Sequence, residues 1–192
     1  MYTKAFFLSL IGVVLLFTGN THAQSYHTRY GTASFKVAAP AKIINGENKA
    51  VSIHINFKTG SISLETAIDS FTFHNNFVAD TMNWLIKKRF NEYYMESNLY
   101  PEINYQGKIT NTATIKYNKD GVYPIHTKGI LYLHGVKQSI TAEAILTVKG
   151  GHLSVNSEIV VVPETYKIRI PPYIGYMYFK EVNIAVQGDL SK

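Results

Sequence analysis

The sequence predicts an all-β domain interrupted by one short helix. Three observations carry this reading. Beyond Ala33 most of the chain alternates apolar and polar residues with a period of two, as half-buried strands do. Glycine-bearing turns separate the alternating runs. The composition, with 14 tyrosines and 10 phenylalanines beside many Val, Ile and Thr, suits a pleated surface buried on one face.

The first element is not a strand. Met1 to Lys4 is short and basic, Ala5 to Phe17 is a run of thirteen residues without charge, and Thr18 to Ala23 is polar and small. This is the layout of a secretory signal peptide. The apolar run falls short of the roughly 20 residues a bilayer span requires. The expected organisation is a signal over residues 1–23 and a single domain over residues 24–192, periplasmic or secreted. There are no cysteines. Lipidation at a cysteine, thiolate metal sites and cysteine catalysis are excluded, and the exported domain must be held by burial and ladder hydrogen bonds. A chain of this length buries a substantial core as one domain.

The strands follow in order. Val51, Ile53, Ile55 and Phe57 point one way and Ser52, His54, Asn56 and Lys58 the other. Thr59-Gly60 turns the chain, Ile62 and Leu64 resume the pattern, and Phe71 and Phe73 extend it. Ile103, Tyr105 and Ile109 follow, then Ile115 and Tyr117. Asn118-Lys119-Asp120-Gly121 is a hairpin signal, because Asp-Gly supports the positive φ of tight turns. Tyr123 to His134 reads as one long strand with a bend or bulge at Gly129. Gly135-Val136-Lys137 turns into Ile140 to Val148, Gly150-Gly151 into Leu153 to Ile159, and Val182, Ile184 and Val186 form the last strand. Eight to ten short antiparallel strands close into a barrel or pack as a sandwich.

One stretch breaks the period. Met82, Leu85, Ile86, Phe90 and Tyr93 fall at helical spacing over Thr81 to Met95, with Asp80 or Thr81 placed to cap it. This amphipathic stretch carries Trp84 and the Lys87-Lys88-Arg89 run. It can cap a barrel mouth or make transient contact with a membrane surface.

The charge is basic, with 19 Lys+Arg against 13 Asp+Glu and a net of +6; loss of Lys4 with the leader leaves +5. Apart from residues 87–89 the basic side chains are dispersed, and no nucleic-acid partner is expected. The nucleophile-elbow, zinc-protease, phosphate-loop and dinucleotide motifs are missing from the sequence. Carboxylates stand singly; of the seven histidines, His22 leaves with the signal, His27 is near the mature start, and His54, His74, His126, His134 and His152 fall on separate predicted strands or turns. The expectation is therefore no enzyme, no metal and no cofactor.

Three stretches resemble the YceI-like family of exported, lipocalin-like proteins. Arg89-Phe90-Asn91-Glu92-Tyr93-Tyr94-Met95-Glu96-Ser97, followed by Tyr100-Pro101 and Ile103-x-Tyr105-x-Gly107-Lys108-Ile109, is similar to the family's H-F-N-E-x-Y-M-E-S-x-x-Y-P-x-x-x-F-x-G-K-I stretch. Gly129-x-Leu131-x-Leu133-His134-Gly135-Val136 is similar to a family hairpin, and Tyr166-Lys167-Ile168-Arg169-Ile170-Pro171 to its Y-x-I-x-I-P segment. Arg89 stands where a histidine is common, and Tyr132 where threonine is frequent. The resemblance implies an extended antiparallel eight-stranded lipocalin-like barrel around an elongated apolar cavity. It also implies binding of a polyisoprenoid or isoprenoid quinone.

The resulting expectation is non-catalytic binding, storage or transport of an apolar lipid. The alternative is a closed barrel without a bound lipid that serves as a structural or interaction protein of the cell envelope; under either reading the protein is a monomer or a homodimer. Strand alternation assigns the apolar lining to Ile53, Ile55, Phe57, Phe71, Phe73, Ile103, Tyr105, Leu131 and Leu133, with Trp84 and Phe90 at the entrance.

Overall fold

The computed structural model describes residues 25–39, 42–74, 80–169 and 180–192. The expected leader lies outside the described residues. Nine strands form one antiparallel sheet: β1 (Ser25–Ala39), β2 (Lys42–Asn56), β3 (Ser61–Ala67), β4 (Thr72–His74), β5 (Glu102–Ile109), β6 (Gly121–Leu133), β7 (Val136–Lys149), β8 (His152–Val161) and β9 (Val182–Leu190). β1 pairs with both β2 and β9, so eight strands close in the order β1-β9-β8-β7-β6-β5-β3-β2. The three-residue β4 is added on the outer half of β2, opposite Asn45–Glu47. Among the described residues, closure leaves no long unpaired edge.

The expected turns form where glycine permits them. Gly60 has φ +70°, the β6–β7 turn is made by His134 (φ +50°) and Gly135 (φ +74°), and the β7–β8 turn by Gly150 and Gly151. The helix is α1 (Asp80–Arg89), continued by a π-helical turn over Phe90–Tyr94, in agreement with the span read from the sequence.

Gly129 differs from expectation. The β6–β7 register runs without a slip from Gly121 opposite Val148 to Leu133 opposite Val136, so there is no bulge. Instead Gly129 faces Gly107 across β5–β6. A Cβ on Gly129 would lie 2.6 Å from the Gly107 Cα, and one on Gly107 would lie 2.5 Å from the Tyr105 hydroxyl. The two glycines clear a floor over which the Tyr105 ring lies flat against the inner wall.

The second departure is at Ile115 and Tyr117. They belong to the β5–β6 connection, which folds back to plug one end of the barrel. Ile115 is buried there, and Tyr117 stacks on Phe57 with centroids 5.0 Å apart and planes 9° from parallel. Tyr26 meets both rings edge-on. The Asp120 carboxylate accepts the Gly150 N–H at 3.0 and 3.1 Å, tying this plug to the β7–β8 turn.

β2 bends midway. Its partners pass from β4 to β3, and it carries one extra residue against β1 between Asn48 and Val51, balanced by one in β1 between Thr28 and Gly31. Such bulges let a strand turn a barrel corner. The fully buried Asn48 holds the bend. Its amide donates to Thr66 Oγ1 at 2.9 Å and to the Ala67 carbonyl at 3.0 Å, and its Oδ1 accepts the Ala50 N–H at 2.8 Å.

Candidate functional site

The barrel is packed at the plugged end and hollow at the other. Next to the plug, Ile55, Ile125 and Leu146 are fully buried. Moving away from it, the inward positions surround a small cavity of about 30 Å³ bounded by Ile53, Ile62, Tyr105, Thr127 and Val186. A cavity of about 80 Å³ follows, sharing Leu64, Tyr105, Ile159 and Val186 with the first. The third in this row, about 190 Å³, shares Phe71, Ile103, Leu133, Val161 and Ile184 with the second. The shared walls arrange the three in line along the barrel, widening toward the end covered by α1.

The wide chamber is built by aromatic side chains from three segments. Phe35 comes from β1, Phe71 and Phe73 from β4 and its approach, and Phe90 from the π-helical turn. Phe90 lies 5.0 Å from Phe73, 5.6 Å from Phe71 and 6.0 Å from Phe35, centroid to centroid. Ile86 and Tyr94 line the same wall, each four residues from Phe90, so one helical face roofs the chamber. Among the described residues, no charged side chain lines it. The deepest chamber ends on a polar but saturated floor. The Tyr105 hydroxyl donates to Thr127 Oγ1 at 2.8 Å, and Thr127 donates onward to the Ala142 carbonyl at 3.2 Å. Burial pushes the Tyr105 phenol above its ordinary pKa, against a smaller lowering by the Thr127 bond. Such a tube accepts hydrocarbon.

No family model and no curated protein matches the sequence. Solved structures do match the fold. A polyisoprenoid-binding domain from Saccharophagus degradans, described as implicated in plant cell wall breakdown, aligns with TM-score 0.70 at 12% identity, over 88% of this chain and 98% of its own. BcnA of Burkholderia cenocepacia aligns with TM-score 0.60 at 13% identity, over 88% and 98%. A YceI protein of Campylobacter jejuni aligns with TM-score 0.53 at 13% identity, over 77% and 84%.

The chain has the YceI-like fold. At such identities the likeness is one of fold, and the site must be argued from this chain's own residues.

Within this YceI-like barrel the sequence-derived lining separates into three groups. Phe71, Phe73, Phe90, Ile103 and Leu133 surround the wide chamber, while Leu131, Tyr105 and Ile53 border the deeper ones. Ile55 and Phe57 point inward, as alternation requires, but sit in the packed end and border none of these cavities. Trp84 does not point inward. It is 59% exposed on the outer side of α1, because residue 84 stands about 200° around the helix from Ile86, which takes the inner position. Sequence reading missed Phe35, Val37 and Ile44, which lie where β1 and β2 run beyond the bulges. The alternation Ala33, Phe35, Val37 was their only signal.

The rim of the wide chamber is tied by a buried histidine. His134, 6% exposed in the β6–β7 turn, reaches the Tyr166 carbonyl through Nδ1 and Glu96 through Nε2. Tyr166 belongs to the 3₁₀ turn Pro163–Tyr166, whose Pro163 lines the chamber. His126 instead faces Glu143 on the outer wall at 3.5 Å. The two histidines therefore share no pocket. Among the described residues, no group of three or more His, Asp or Glu side chains gathers as metal ligands would.

Proposed function

We propose that this protein is a non-catalytic carrier or store for an apolar lipid tail of the polyisoprenoid or isoprenoid-quinone class, working in the periplasm or outside the cell. The observation that carries the reading is the aromatic-walled chamber of about 190 Å³ with no charged side chain on its wall among the described residues. An empty apolar void of that size forfeits several kcal/mol, at about 24 cal/mol per Å³. That is a large fraction of a domain's net stability, about 5–15 kcal/mol. A hydrocarbon tail restores the missing contacts and gains roughly 0.8 kcal/mol per buried methylene, less the cost of ordering. Methyl-branched, unsaturated chains suit a wall of Phe and Ile, and a polar head group would stay at the rim, outside the dry wall. The likeness to a polyisoprenoid-binding domain supports the same class.

The deciding experiment is mass spectrometry of an organic extract of the protein, purified from its host without detergent. A stoichiometric polyprenyl species is the expected result. An extract that stays empty after incubation with host membranes would leave the closed interaction barrel as the better reading.

A further inference from the structure

The outer face of α1 is the opposite of its inner one. Trp84, Lys87 and Lys88 stand at positions i, i+3 and i+4, and so form one stripe along the helix. Trp84 is 59% exposed, Lys88 and Arg89 are exposed, and Lys87 is half-buried along its stem. Tyr93 and Leu99 are also exposed, at 67% and 69%. Among the described residues, none of the three basic side chains makes an ion pair. The nearby carboxylates Glu92, Asp69 and Glu102 gather in a separate polar cleft with Asn91, Ser97 and Asn98.

We propose that this stripe docks the barrel mouth onto an anionic lipid surface. A large indole exposed between two lysines is poorly placed for water and well placed for the interface, where an amphipathic ring sits at head-group depth and ammonium groups meet phosphates. A protein partner is disfavoured because the apolar residues are interleaved with strong positive charge, whereas interface cores are depleted of it. The same helix roofs the chamber with Ile86 and Phe90. Docking therefore places the lid of the cavity against the bilayer from which a tail would be drawn. The docking face extends the lipid-carrier reading without depending on it.

Trp84 is the only tryptophan in the chain, so its emission reports on this face alone. The test mixes the purified protein with phosphatidylcholine vesicles, with and without phosphatidylglycerol. A blue shift, with quenching by lipids brominated on the acyl chain, is expected only when phosphatidylglycerol is present. Added salt should weaken it. Each basic residue near such a surface is worth roughly fivefold in partitioning, so Lys87→Ser with Lys88→Ser should lower binding by about 25-fold. Extracts of that double variant should hold the same lipid as the parent, which separates docking from cargo binding. Unchanged emission on anionic vesicles, or equal shifts on both vesicle types, would overturn the proposal.

Discussion

His134 places Nε2 2.9 Å from Glu96 Oε2 while its Nδ1 lies 3.0 Å from the Tyr166 carbonyl oxygen. The carbonyl only accepts, so the imidazole Nδ1–H donates to it, and Nε2 faces the Glu96 carboxylate. The two contacts form a clasp. It joins the β6–β7 turn, the segment after the π-helical turn and the 3₁₀ turn after β8. Tyr100 packs against the imidazole at 4.6 Å and leaves no room for a Cβ on Gly135. Glu96 and His134 both adopt positive φ, at +44° and +50°, a backbone strain that the clasp and its packing hold in place.

Removing the clasp should loosen the rim. His134→Ala leaves the Tyr166 carbonyl without its donor and the Glu96 carboxylate without its ring contact. We expect a loss of about 1–3 kcal/mol, with Glu96 discounted because it is half-exposed. Glu96→Gln keeps a hydrogen bond to the ring and should lose less than half of that. Urea midpoints measure both, and amide exchange should quicken around residues 96–100 and 163–167. Equal midpoints in parent and His134→Ala would mean that the clasp contributes nothing.

The bend of β2 predicts a larger effect from a smaller change. The Asn48 amide donates to Thr66, Thr66 donates to the Ala50 carbonyl, and the Ala50 N–H donates back to Asn48, a closed ring of three bonds whose Asn48–Thr66 side is buried. Asn48→Ala empties the ring and strands its partners away from water, which should lower stability by about 2–4 kcal/mol. Thr66→Val breaks two of the same bonds but fills the space, so it should lose about 1–2 kcal/mol. Thermal and urea unfolding of the two variants side by side would show whether Asn48 is the dominant member.

Alkaline pH should weaken the barrel through Tyr105. Burial raises its pKa, so the folded state holds the phenolic proton more tightly than the unfolded chain does. The stability it contributes is intact below about pH 10, where both states keep the proton, and falls as pH rises past it. Tyr166, also raised by burial, acts in the same direction. Tyr105→Phe should lower stability by about 1 kcal/mol at neutral pH through loss of the Thr127 bond, and should flatten the fall above pH 10. A parent midpoint that does not change between neutral pH and pH 11 would contradict this.

The sequence made the barrel legible but not where it is hollow. Period-two alternation identifies inward positions, and Ile53, Ile55 and Phe57 all obey it. It does not say whether the space opposite is filled. Ile55 and Phe57 are core because Tyr117 and Ile115, 58 residues away or more, fold back to plug that end. Phe71 and Phe73 are walls because the roof above them is a helix rather than a strand. Trp84 was misplaced because apolar character was taken for inwardness, when helical phase alone decides which residue faces in. Asn48 was invisible because a polar residue in a strand reads as solvent-facing unless its partners are known.

That division gives the sharpest test of the cavity. Ile103 borders both the wide chamber and the one below it, so Ile103→Trp should fill the neck between them. The added ring enters existing space, so stability should change by no more than about 1–2 kcal/mol in either direction. The lipid recovered by extraction should fall at least severalfold. Phe57→Leu acts at the packed end, where it breaks the stack on Tyr117 and removes volume from a filled core. It should lower stability by about 1–2 kcal/mol and leave the extracted lipid unchanged. The opposite pattern, loading lost on Phe57→Leu and kept on Ile103→Trp, would mean that the tail enters from the plugged end and that the aromatic chamber under α1 is not the site.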